Sequence, residues 1–140
     1  MIDNPQKKVL IAGASGISGS YIANELVADP DWQVIGVARK VPKEGPDNRM
    51  QFLTADMLEP SSLEPLFDQF QDLTHLVYAG YSPAGGNDWG AQTSINASMF
   101  ENLMGAVCRV APQLQRIVLM QGQKYYGSHL GPYKTPTRED

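Results

Sequence analysis

Three glycines spaced G-x-x-G-x-x-G, at Gly13, Gly16 and Gly19, join an apolar run to a helical pattern. This junction restricts the fold more than any other stretch of the chain. Val9-Leu10-Ile11-Ala12 has the unbroken apolar character of a parallel strand buried on both faces. Beyond the glycines, Ile17, Tyr21, Ile22 and Leu26 fall on one helical stripe. Asp29-Pro30 closes that helix, because a residue before proline avoids the α region. Strand, tight turn and helix start therefore follow in order. Gly13 permits the turn off the strand, Gly16 leaves no Cβ where a ligand would approach, and Gly19 lets the helix pack close to the sheet. The unpaired N–H groups and dipole of a helix start favour an anion. Ser15 can add a hydroxyl donor, and Ile17 enters the helix beside it. The spacing in this context points to the pyrophosphate of a dinucleotide; a glycine-rich loop without a ligand is the alternative.

The 140 residues suffice for one domain with a core. A net charge of −4 without a basic run argues against nucleic acid as a partner. No apolar stretch reaches membrane length, and the first eight residues carry no apolar signal region. The single cysteine, Cys108, cannot form an internal disulfide and is expected to be a small buried apolar residue. A reducing cytoplasm is the expected location.

Trp32 to Ala38 reads as a second strand. It runs into Arg39-Lys40, about 20 residues past the last glycine, where a dinucleotide fold meets the adenosine ribose. A carboxylate there suits the ribose hydroxyls of NAD. Arg39 and Lys40 instead suit a 2′-phosphate, so the expected cofactor is NADP; a solvated strand end is the alternative. Residues 43–48 form a loop in place of the usual crossover helix. Met50 to Ala55 is a third strand ending in Asp56-Met57. Asp56 can accept from the adenine amino group, or serve as a turn residue, with Met57 packing nearby. Ser61-x-x-Glu64 reads as a capping box, followed by an apolar stripe of Leu63, Leu66, Phe67 and Phe70.

Thr74 to Gly80 is a fourth strand, and its small end, Ala79-Gly80, would let a cofactor pass closely. His75 opens this strand far from that end and reads as a surface histidine. A Gly/Pro-rich loop from Tyr81 to Gly90 precedes a long helix, Gln92 to Val110. Ile95, Met99, Leu103, Ala106, Val107 and Val110 form its buried stripe. Asn96 lies one step off the stripe, either bracing the strand ends or facing solvent. Gln115 to Met120 is a fifth strand, followed by Gln121-Gly122-Gln123-Lys124, at the strand end where such sheets place ligands. The expected architecture is α/β: a Rossmann-type doubly wound parallel sheet of order 3-2-1-4-5. The cofactor domain is expected to span 1–127, with an irregular tail over 128–140.

The motifs Gly13-Ala14-Ser15-Gly16-Ile17-Ser18-Gly19, Gly36-Val37-Ala38-Arg39, Asn96 with Met99, Gln121-Gly122-Gln123-Lys124-x-Tyr126-Gly127 and Gly131-Pro132 resemble one family. The chain looks like the N-terminal portion of an extended short-chain dehydrogenase/reductase of the progesterone 5β-reductase and iridoid synthase group. The resemblance runs along nearly the whole chain. It implies NADPH-dependent reduction of an enone double bond, or of a carbonyl, in a small-molecule substrate. Lys124 matches the family lysine that stabilises the developing oxyanion. The family tyrosine belongs to a later helix, which this sequence does not reach. Gln121-Gly122 replaces the Ser or Thr that many extended dehydrogenases carry, which argues against the sugar-nucleotide epimerase branch.

On this reading the chain is the cofactor half of a longer enzyme, inactive or weakly active alone. Its fifth strand is an open edge able to pair with another copy. The second hypothesis is an NADP-binding sensor without catalysis, which Lys124 disfavours.

Overall fold

The computed structural model describes residues 7–42, 49–122, 126–127, 130–132 and 134–135. The expected tail, the loop at 43–48 and Lys124 lie wholly or mainly outside these residues. Strand β1 (Lys7–Ala12) leads through the glycine turn into helix α1 (Ile17–Ala28), then β2 (Trp32–Ala38) and β3 (Met50–Thr54). A broken helical segment follows: α2 (Pro60–Leu63), a 3-10 turn (Glu64–Leu66) and α3 (Phe67–Phe70). Strand β4 (His75–Tyr78), the long helix α4 (Trp89–Val110) and β5 (Arg116–Leu119) complete the order.

All strand pairings are parallel, and the sheet order is β3-β2-β1-β4-β5. Central β1 explains its own composition. Its side chains alternate between two layers, and both layers are covered. Leu10 and Ala12 join Ile35, Val37, Leu76 and Tyr78 on the face that packs against α2, α3 and α4. Val9 and Ile11 join Val34 and Val77 on the face covered by Ala23 and Val27 of α1. A strand sealed on both sides has no polar positions to alternate.

Five expectations need correction. Ile17 and Tyr21 do not face the core; they are 83% and 71% exposed, and Gly19, Ala23 and Val27 are the buried face of α1. Small residues line that face because the helix lies close to the sheet, which turns the bulky pair outward. The capping box does not form. Pro60 starts α2 after Glu59, which makes no side-chain cap, and Pro65 breaks the segment into a 3-10 turn. Helix α4 begins at Trp89, because the Asp88 carboxylate accepts from the Ala91 N–H and caps it three residues earlier than the apolar pattern suggests. Cys108 is exposed, since it lies off the stripe of Met99, Leu103, Ala106 and Val107. His75 is half-buried, its ring edge-on to Trp32 at 4.8 Å between centroids.

Candidate functional site

The carboxyl ends of the central strands open into a cleft of about 130 Å³. Gly13 and Ser15 from the glycine turn, Arg39 from the end of β2, Asp56 and Met57 beyond β3, and Gly80 beyond β4 all line it. Six residues singled out in the sequence thus share one wall-to-wall space. Parallel strands bring this about, because every strand exits on the same side of the sheet.

The glycine turn is built by close backbone approach. Gly13 has φ +78°, and a Cβ there would lie 2.5 Å from the Ala79 carbonyl oxygen. Ala79, predicted to meet the cofactor, does not line the cleft; its backbone lies close behind Gly13, and its N–H donates to Ala12 O. A Cβ on Gly19 would lie 2.1 Å from Gly13 O, so the third glycine seats the helix on the turn itself. Gly16 caps α1 without a side chain, donating its N–H to Gly13 O. The outer side of the turn, Ser15 through Ser18, is exposed. The first N–H groups of α1 have no acceptor within the helix, and Gly16 offers no side chain to supply one. A backbone cradle of this form fits a diphosphate.

Beyond β3 the chain is held tightly. One Asp56 carboxylate oxygen accepts from the Leu58 N–H, while the Ser62 hydroxyl donates to Asp56 O and accepts from Asp56 N–H. Asp56 is therefore a turn residue that also faces the cleft. Asn102 of α4 donates to Met57 O at 2.9 Å. Beyond β4, Asn96 braces the chain: its Oδ1 accepts from the Ser82 N–H at 2.8 Å, and its Nδ2 donates to Ser82 O and to Gln92 O.

Gly16, Ile17, Gly19 and Lys40 lie outside the cleft lining, with Ile17 and Lys40 exposed. Gln121 lines a neighbouring, wider hollow of about 730 Å³ with Tyr81, Trp89, Gln92, Thr93, Asn96 and Gly122. Tyr81 borders both spaces, and its hydroxyl donates to the Gln92 carboxamide. The sequence reading assigned no site role to Tyr81 or Ser82. Their position directly after β4 was the available signal. Met99, read as core filler, also reaches the cleft.

Tyr78 ends β4 with its ring edge-on to Phe100 at 5.0 Å. Its hydroxyl is buried without a hydrogen-bond partner among the described residues, and burial raises its pKa. The described residues contain no cluster able to hold a metal ion and no helix long and apolar enough to cross a membrane.

Comparison with known proteins agrees with this geometry. The model of the NAD dependent epimerase/dehydratase family matches residues 9–140. The short chain dehydrogenase gsfE of Penicillium aethiopicum is 31% identical over 96% of this chain, which spans 37% of that protein. The (S)-8-oxocitronellyl enol synthase of Catharanthus roseus is 32% identical over 94% of this chain and 35% of its own length. The chain thus spans about a third of these curated relatives. Among solved structures, the Bordetella bronchiseptica enzyme WbmH in complex with NAD+ is 25% identical with a TM-score of 0.76, covering 96% of this chain and 44% of that one. The UDP-glucuronic acid 4-epimerase of Bacillus cereus shares the fold at 20% identity and a TM-score of 0.71. Sequence, sheet order and glycine turn agree that the chain belongs to the NAD dependent epimerase/dehydratase family of extended short-chain dehydrogenases/reductases, and within it resembles the iridoid synthase and progesterone 5β-reductase group.

Proposed function

We propose that this chain is the cofactor-binding part of an NADPH-dependent oxidoreductase that reduces the double bond of an enone, or a carbonyl, in a small molecule. The observation that carries the reading is Arg39 on the same cleft as Gly13 and Ser15. A guanidinium at the end of β2 suits the ribose 2′-phosphate of a dinucleotide whose diphosphate rests on the glycine turn, which supports the reading. Lys40 beside it is exposed and adds positive charge. NADPH supplies the hydride; the protein supplies position and charge.

In this reading the free amides of Ile17 and Ser18 and the Ser15 hydroxyl receive the diphosphate, while the Gly16 N–H, bonded to Gly13 O, holds the turn in shape. Asp56, with one carboxylate oxygen engaged by Leu58, retains the other for an adenine amino group. Met57, Ala79 and Gly80 pass the cofactor toward the end of β5, where Gln121 faces the wider hollow. Lys124 supplies the cation that stabilises the enolate oxygen as charge develops. The relatives named as enol synthases support this chemistry. Cytoplasmic residence, where NADPH is available, belongs to the same proposal.

Calorimetric titration of the chain with NADP+ and NAD+ tests the cofactor. NADP+ is expected to bind at least about tenfold tighter, and Arg39→Asp is expected to abolish that preference, a loss on the order of 1.5–3 kcal/mol for a charged hydrogen-bonded pair. Equal affinities in the parent chain, or an unchanged preference in the variant, would refute the NADP assignment.

A further inference from the structure

Helix α4 is normally read from its buried stripe, but Asn96, Met99 and Asn102 make a second row. They recur at i, i+3 and i+6, and each step climbs about 4.5 Å and slips about 60° around the axis. Met99 is buried and touches the cleft at the middle of the row. The two half-buried asparagines flank it, and each reaches a different wall. Asn96 holds both backbone groups of Ser82, beyond β4. Asn102 holds the backbone carbonyl of Met57, beyond β3. Ser82 and Met57 both line the cleft. Strands β3 and β4 are separated by β2 and β1, a distance of about 14 Å at ordinary strand spacing. One rigid helix therefore sets the separation of two loops that no strand pairing connects.

We propose that Asn96 and Asn102 are positioning residues that fix the two walls of the cleft independently, Asn102 the adenosine end and Asn96 the end nearer the reacting ring. The cofactor part of this inference rests on the dinucleotide reading above. Each asparagine supplies something its carboxylate isostere cannot. Asn102 donates, and an Asp there would set a charged oxygen against Met57 O. Asn96 both accepts and donates, and an Asp would keep only the acceptance from Ser82 N–H. Loss of either bond leaves a half-buried carbonyl unpaired and lets its loop move.

The test pairs Asn96→Asp and Asn102→Asp with two probes, NADP+ and adenosine 2′,5′-bisphosphate, which fills the adenosine end alone. Asn102→Asp is expected to weaken both probes about tenfold. Asn96→Asp is expected to weaken NADP+ by a similar factor while leaving the bisphosphate within about twofold. Amide hydrogen exchange provides a readout without ligand. Protection is expected to fall at 81–86 in Asn96→Asp and at 57–59 in Asn102→Asp, each without loss at the other wall. Exchange that rises equally at both walls, or at neither, would overturn the inference. So would equal weakening of both probes by both variants. A parent chain that binds neither probe refutes the dinucleotide reading and the role of the brace in binding, and the exchange pattern then decides the brace alone.

Discussion

Gly19 has space for a hydrogen and nothing larger, because a Cβ would overlap the Gly13 carbonyl at 2.1 Å. Gly16 is different: its Cβ would come no nearer than 3.3 Å to that same oxygen. Gly19→Ala is therefore expected to destabilise the chain by about 2–3 kcal/mol, the scale of backbone-displacing overpacking. Gly16→Ala should keep most of its stability and lose cofactor affinity. Thermal melts with a parallel NADP+ titration separate the two. His75 makes a second prediction. Thr74 donates its hydroxyl to Lys8 O and accepts from Lys8 N–H, so its contact with His75 at 2.8 Å requires Nδ1 to carry a proton. Burial first, then the charges of Arg116 and Lys7, lower the His75 pKa below 6.5. The unfolded chain then binds the proton more readily than the native one. Stability should fall as pH drops below about 6.5 and be insensitive to this group above it. His75→Gln should flatten that part of the pH–Tm profile; an unchanged profile would contradict the assignment. The glycine spacing was legible because each glycine answers to backbone geometry. The outward turn of Ile17 and Tyr21 was not, because small residues opposite the sheet, rather than bulk, decide which face of α1 is buried.

Helix α4 shows what an element's pattern reveals and conceals. Its stripe of Ile95, Met99, Leu103, Ala106, Val107 and Val110 was evident from periodicity; the middle four are buried, and Ile95 and Val110 pack against the same core while partly buried. Leu103 is fully buried in the core beneath the cleft. Leu103→Ala is expected to cost about 2–5 kcal/mol, measured by denaturant unfolding. For Asn96 the sequence left bracing and solvent exposure open, and the structure shows the brace; the bond from Asn102 to Met57, 45 residues away, was not evident, since polar residues off a stripe carry no periodic signal. The segment after β3 misled for a local reason. Ser61-x-x-Glu64 has capping-box spacing, but Pro60 and Pro65 set the helical boundaries, and it is Ser62 that bonds Asp56.

At the scale of the molecule, the sheet order follows from strand–helix alternation and parallel crossovers, so it was readable before any contact was known. Strand β5 is the outer strand beside β4, and all four of its residues are exposed, Ile117 at 43% and Val118 at 40%. An apolar strand whose outer edge is unpaired among the described residues invites pairing with another copy. Sedimentation velocity is expected to show concentration-dependent association that Val118→Lys reduces; a monomer at every concentration would oppose it.

The central claim is that a dinucleotide's phosphates rest on the amides opening α1. Amide NMR during an NADP+ titration tests it most directly. Saturable shifts are expected at Ser15 to Ser18 and at Arg39, weaker with NAD+. Unmoved amides at that turn, under conditions where the chain is folded and NADP+ is in excess, would contradict it.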